Sequence, residues 1–299
     1  MPDVVIVEAA LNGGRSLDEH PGVPLTAGEL ATEARRCADA GASVVHVHAR
    51  GRDGGWTASV AEYQRVIQAI RAAVPDELIG ITSLRPEGVP SEQVQTLLRR
   101  LPRYARPDLM SVNLGHITTW ESRSGRASRE TRQFPNSYDD IVLLLDACRK
   151  AGVIPELGLM DFGFISNAVS LRDDDILPSS SWFLLELDSP AFGAGAQVAP
   201  ATDSTFAALS STLRVEFPNA PWAAHGAGVA TYAVVKRSLA EGAHVRVGFE
   251  DCVQMPDGTL ARSNADQVAW VAQRAEELGR RPATAAETWA VIAGNAWSS

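Results

Sequence analysis

Cysteine is scarce in this chain. There are three in 299 residues, Cys37, Cys148 and Cys252, and no two stand at Cys-x-x-Cys spacing. That excludes a disulfide framework and a structural zinc knuckle, and free thiols point to a reducing compartment. Long apolar runs are also missing. No stretch approaches the roughly 18 apolar residues of a membrane span. The start of the sequence shows no basic segment leading into an apolar core, so no secretory leader is expected. Positive charge is in deficit, with 27 Lys and Arg against 36 Asp and Glu and a formal net charge of −9. This argues against nucleic acid as a partner, but not against an anionic small molecule, which local arginines could hold. No glycine-rich phosphate loop follows the first apolar run, which disfavours a doubly wound nucleotide-binding sheet. The expectation is a soluble, cytoplasmic protein that acts on a small molecule.

What is present is a long alternation. With 45% hydrophobic residues, the chain can bury a large core. Strands are expected at Val4–Ala10, Val44–His48, Leu78–Thr82, Leu109–Leu114, Ile154–Met160, Trp182–Leu187, Trp222–His225 and His244–Phe249. Helical patterns lie between them. Thr26 with Glu29 opens one over Leu30–Ala40, and Ser59 with Glu62 opens another over Tyr63–Val74. Gly41 and Pro75 stop these two helices. Further helices are expected at Ser91–Leu101, Asp139–Lys150, Thr202–Val215, Tyr232–Gly242 and Ala265–Leu278, with a last one capped by Thr284 and Glu287. Strand and helix alternating eight times predict one α/β domain spanning 1–299, a (β/α)8 TIM barrel. Two connections are long, Asn12–Leu25 and His116–Tyr138, and long loops in compact domains are commonly lids or mobile segments.

Barrel enzymes gather their chemistry at the carboxyl ends of the strands. Here those ends supply, strand by strand, Glu8 and Asn12; His46, His48 and Arg50; Thr82, Ser83 and Arg85; Asn113 and His116; Glu156 and Asp161; Glu186 and Asp188; His225; and Arg246, Glu250 and Asp251. His46-Val47-His48 is the sharpest signal. Residues two apart on a strand face the same way, so both imidazoles can grip one metal ion. Two separately hydrogen-bonded core histidines would fit the tripeptide equally well.

The eighth run is the second signal. Parity puts Arg246, Gly248 and Glu250 on one face, with Gly248 leaving room for a ligand or a metal near the barrel axis. A closed barrel pairs the eighth strand with the first, so Glu250 could join the two histidines, and two His with one carboxylate is a common catalytic metal site. Asp251 then stands beside the metal as a candidate base, with Arg246 to steady it. An Arg–Glu ion pair closing the barrel is the plain alternative. Cys252 reads as a buried thiol.

These residues carry a resemblance. Ala40-Gly41-Ala42 leading to His46-Val47-His48-Ala49-Arg50 and Asp53-Gly54, then Pro155-Glu156, Asp161-Phe162-Gly163, and the stretch from Gly242 to Asp251 resemble the β-keto acid cleavage enzymes, a family that includes the 3-keto-5-aminohexanoate cleavage enzyme. Ser263-Asn264-Ala265 and Ala283-Thr284 extend the likeness over nearly the whole chain. The resemblance implies a zinc-dependent barrel with His46, His48 and Glu250 as ligands. The implied reaction condenses a β-keto acid with acetyl-CoA and yields acetoacetate and a new acyl-CoA. Asp251 would be the base, supported by Arg246, and Thr82 a hydroxyl near the thioester. Asn12, Ser83, Asn113, Glu156 and His225 are the candidate substrate contacts. The chain departs from the family pattern at Leu11-Asn12-Gly13-Gly14, at Thr82-Ser83-Leu84-Arg85-Pro86, at Gly158 in place of a glutamate, and at Cys252. A β-keto acid other than the aminohexanoate is therefore expected. A CoA-independent, metal-dependent aldolase or lyase and a metal-dependent hydrolase are the alternatives. Apolar Trp289, Val291, Ile292 and Trp297 near the end of the sequence suggest a homo-oligomer, although a helix packed on its own barrel would explain them too.

Overall fold

The computed structural model describes residues 3–52, 54–83, 91–122, 129–178, 180–188 and 198–293. Asp53, Arg85 and Trp297, all picked out above, lie outside them.

Eight parallel strands close into a barrel. In chain order they are β1 (Val7–Ala10), β2 (Val44–Val47), β3 (Leu78–Ile81), β4 (Leu109–Asn113), β5 (Ile154–Leu159), β6 (Trp182–Glu186), β7 (Trp222–His225) and β8 (His244–Val247). Neighbours in sequence are neighbours in space, and β8 closes on β1 with Val245 opposite Val7 and Arg246 opposite Glu8. All eight expected strands are present, most of them a residue or two shorter. The first is divided. Val4–Val5 leaves the barrel to pair with Arg281–Pro282.

The strands read as continuous apolar runs because both faces are buried. Their outward faces meet the helices in the main core cluster. Their inward faces stack in layers. Ile6, Val44, Leu78, Leu109, Ile154, Trp182 and Ala223 form an apolar plug, with Ile292 of the last helix against it. The next inward positions carry polar side chains on most strands, Glu8, His46, Ser111, Glu156 and His225 among them, so the plug is the floor on which the site stands.

Capping sets most helix starts where expected. Thr26 and Glu29 form a full capping box before α1 (Ala27–Asp39), as do Thr284 and Glu287 before the last helix, Ala285–Ile292. Three elements differ from expectation. The helix expected over Ser91–Leu101 is two, Ser91–Leu98 and Leu101–Ala105, because Pro102 is better placed in a new first turn than inside a longer helix. A helix at Phe162–Asp173, capped by Asp161, was not expected. Its apolar residues are not confined to one face, so it carries no clear amphipathic period. The long connection after β4 holds an antiparallel hairpin, Ile117–Ser122 with Arg129–Phe134. No helix among the described residues is long and apolar enough to cross a membrane.

Candidate metal centre at the mouth of the barrel

His46 is on β2 and His48 one residue past its end. Glu250 lies beyond β8, more than two hundred positions away, yet the three meet. His48 Nε2 is 3.3 Å from Glu250 Oε1, and His46 Nε2 is 3.7 Å from Glu250 Oε2. One ligand atom from each lies within 4.8 Å of the others. Bonds of about 2.0–2.2 Å in a tetrahedral zinc site would hold ligand atoms about 3.3–3.6 Å apart, close to what is seen. Both ring nitrogens of His48 and Oε2 of Glu250 are buried without a hydrogen-bond partner. Orphaned polar atoms converging on one point at this spacing fit a divalent cation. The electrostatics agree. Burial pushes the His46 imidazole down to about 3 and keeps it neutral, ready to donate a lone pair. Burial alone would raise the Glu250 carboxyl, but Arg246, His48 and His46 outweigh it and hold that carboxyl well below its ordinary range.

Gly248 corrects one expectation. Strand β8 ends at Val247, so strand parity does not govern Glu250. The chain turns instead, with Asp251 and Cys252 N–H groups donating to the Gly248 carbonyl, and the turn delivers Glu250 and Asp251 together. Nor does Gly248 make room for a ligand. It has φ +149°, and a Cβ there would come within 2.1 Å of the Ala10 carbonyl oxygen. The glycine is needed for close passage against β1.

Arg246 organises the acids. Its Nε and Nη2 donate to the two Asp251 oxygens at 3.1 and 2.9 Å, and Nη2 lies 2.7 Å from Glu250 Oε1. Asp251 has no solvent-exposed surface, and His225 Nδ1 faces its Oδ1 at 3.3 Å. Beyond His225, Glu186 Oε2 is 3.6 Å from Nε2. Burial opposes charge on His225, but Asp251 and Glu186 win and raise its pKa. Cys252 stays apart, with its thiol on the Gln254 backbone.

The other candidate residues are placed as follows. Thr82 and Ser83 are buried just past β3. Asn113 Oδ1 and Glu186 Oε1 crowd above Gly158, where a Cβ would meet them at 2.2 and 2.4 Å. Asn12 is engaged by backbone. It donates to the carbonyls of His48 and Pro24, and its Oδ1 accepts the His48 N–H at 2.9 Å. It fixes His48 where the strand has ended. Glu156 lies below the mouth, accepting from Trp182 Nε1 at 3.0 Å. Arg50 donates to the carbonyls of Gly13 and Arg15, pinning the loop after β1. His116 accepts from the Asn136 N–H, Asp161 caps a helix, and Asp188 accepts from the Ala201 N–H.

Two residues near the site were not singled out from sequence. Gly13, at φ +45°, lets its loop close on Glu250, whose Cγ would be 2.3 Å from any Cβ there. The Trp56 ring lies 6.1 Å from that of His48. A lone tryptophan eight residues past His-x-His carries no periodic signal. Gly13-Gly14 beside a site loop was the available hint for the first.

The family model for beta-keto acid cleavage enzyme matches residues 4–293. This chain belongs to that family. It is 29% identical to the 3-keto-5-aminohexanoate cleavage enzyme of Fusobacterium nucleatum over 98% of both chains. It is 28% identical to the 3-oxoadipate:acetyl-CoA acetyltransferase of Cupriavidus necator, over 98% of this chain and 95% of that one. The structure of ObcA in a ternary complex with a C4-CoA adduct and oxalate shares the fold. It has TM-score 0.73 and 17% identity, and covers 91% of this chain and 68% of that one.

Proposed function

We propose that this chain is a zinc-dependent β-keto acid cleavage enzyme, working as one barrel domain. A β-keto acid R–CO–CH2–COO⁻ and acetyl-CoA would give acetoacetate and R–CO–S–CoA, an exchange that balances without oxidant or water. Family membership supports the reaction type, and relatives named for acetyl-CoA transfer support the second substrate. The observation that carries the reading is the meeting of His46, His48 and Glu250 with Asp251 and Arg246 alongside.

A divalent cation held by His46, His48 and Glu250 would supply Lewis-acid stabilisation of negative charge on a carbonyl oxygen. The remaining work falls to side chains. Asp251 would take a proton from the carbon between the keto and carboxylate groups. Arg246 fixes both Asp251 oxygens and offsets their charge, and His225 holds the other side. Thr82 would present its hydroxyl to the thioester, with Ser83, Asn113 and His225 as substrate contacts. Asn12 and Glu156 would support the centre from behind.

The test is purified protein with Zn²⁺, acetyl-CoA and a panel of β-keto acids. Acetoacetate should appear and disappear on chelation. Cleavage that proceeds without acetyl-CoA would instead assign an aldolase, and no reaction with any β-keto acid would sink the proposal.

A further inference from the structure

Beneath the metal cluster lies a second pair of buried acids, and the proposed chemistry gives one of them, Glu8, no role. Glu8 is on β1 and Glu156 on β5, both within the barrel, and both are almost fully buried. Ala10 is the register partner of His46, so Glu8, two residues earlier, faces inward one layer below it. The His46 ring therefore stands between two carboxyl groups. Its Nε2 is 3.7 Å from Glu250 Oε2, and its Nδ1 is 3.8 Å from Glu8 Oε1. Neither Glu8 oxygen meets a donor hydrogen unless the Glu156 carboxyl carries one. Glu156 is itself anchored by the Trp182 indole. A fully buried carboxyl with free acceptor capacity, aimed at the back of a candidate ligand, needs a reason.

We infer that Glu8 is a positioning residue for His46. It accepts the Nδ1–H of the ring and so commits Nε2, the nitrogen facing Glu250, to the cation. This rests on the metal reading proposed above. A metal-ligating imidazole needs such an acceptor to fix its tautomer and its orientation. At 3.8 Å the contact is longer than a hydrogen bond, so the inferred bond requires the ring to turn toward Glu8. Glu8, His46 and Glu156 could also be taken as an inner cation site. The number of ions that the wild-type protein binds, one or two, separates that reading from this one.

The test measures metal binding, not turnover. Apo-protein is titrated with Zn²⁺ against a chromophoric chelator, and with Co²⁺ while the visible ligand-field bands are read. Wild type should bind one ion. Glu8→Leu, which removes the acceptor, should lower Zn²⁺ affinity about 10–100-fold and alter the Co²⁺ bands. Glu8→Gln, which keeps a carbonyl oxygen, should stay within a few-fold of wild type. Glu8→Asp, which shortens the reach, should fall between them and serves if the leucine variant does not fold. Wild-type affinity and bands in both Glu8→Leu and Glu8→Asp would overturn the inference. So would two ions in wild type with one lost in either variant. If wild type binds no ion, the metal reading itself fails and this inference with it.

Discussion

At the residue scale, Asp251 joins opposite demands. A base must be free to take a proton, yet both its oxygens are held by Arg246 and it is sealed from solvent. The grip orients the carboxylate, so a substrate carbon brought against it meets oxygens already in position. Asp251→Asn preserves the shape and removes the basicity. Its kcat should fall about 10²–10⁴-fold, while Zn²⁺ content stays that of wild type. Unchanged kcat would take the base assignment away from Asp251. A second residue prediction concerns pH. His244 is buried, and its Nδ1 accepts the Ile6 N–H at 3.0 Å. Burial, helped by Arg280, pushes its pKa down to about 3. The unfolded chain, with an ordinary imidazole, binds one more proton between about pH 6.5 and pH 3. This contribution is therefore complete above about pH 6.5 and is lost as pH falls toward 3, at up to about 1.4 kcal/mol per unit. His46 behaves in the same way. His244→Asn keeps an acceptor for Ile6 and cannot titrate. Denaturant melts from pH 7 to 4 should show wild-type stability falling with a steeper slope than the variant's. Equal slopes would mean that His244 is protonated in the folded protein.

At the element scale, the strands were legible because barrel strands are buried on both faces and announce themselves as short β-branched runs, as at Val44-Val45 and Val7. Helix starts were legible wherever a capping side chain stood three residues before an acid. The helix after β5 gave no such pattern beyond Asp161, and the hairpin after β4 is built of polar residues that read as loop. The turn after β8 was misread for a different reason. Sequence alternation cannot say where a strand stops, and Gly248 marks a close passage, not an opening. Gly248→Ala tests this directly. Its Cβ would meet backbone atoms of Ala10 at 2.1–2.8 Å, and backbone cannot rotate away as a side chain can. Because the clash falls where β8 closes on β1, the variant should lose at least about 1–3 kcal/mol from the positive φ alone, and more from the displaced strand. A urea midpoint equal to wild type would show that the turn can move, and would restore the idea of free space at this point.

At the scale of the whole molecule, closure of the barrel is what makes the site. No sequence window contains it, because His46 and Glu250 become neighbours only once β8 pairs with β1 and β1 with β2. The pairing could be anticipated from eight strand–helix units, and with it the convergence. The supporting contacts could not be anticipated, since Asn12 behind His48 and Glu8 below His46 depend on side-chain directions that composition does not set. Closure also concentrates charge. Glu8, Glu250 and Asp251 are all buried around one guanidinium, Arg246, and Glu156 is buried beside Glu8. Burial, with Glu156 alongside, pushes the Glu8 carboxyl well above its ordinary range, and the divalent cation proposed above would offset the negative charge that remains. The folded barrel should therefore bind the ion far better than the unfolded chain does, and ion binding should stabilise the fold. With free Zn²⁺ at about 100 times its Kd, linkage gives about 2.7 kcal/mol, which for a chain of this size raises Tm by about 4 °C. Thermal melts in chelator, and again after excess Zn²⁺ is restored, should show that fall and its recovery. In His48→Ala the difference should shrink toward zero. A wild-type melt indifferent to chelation would mean that these acids are balanced by protons alone and that no cation belongs at the mouth of the barrel.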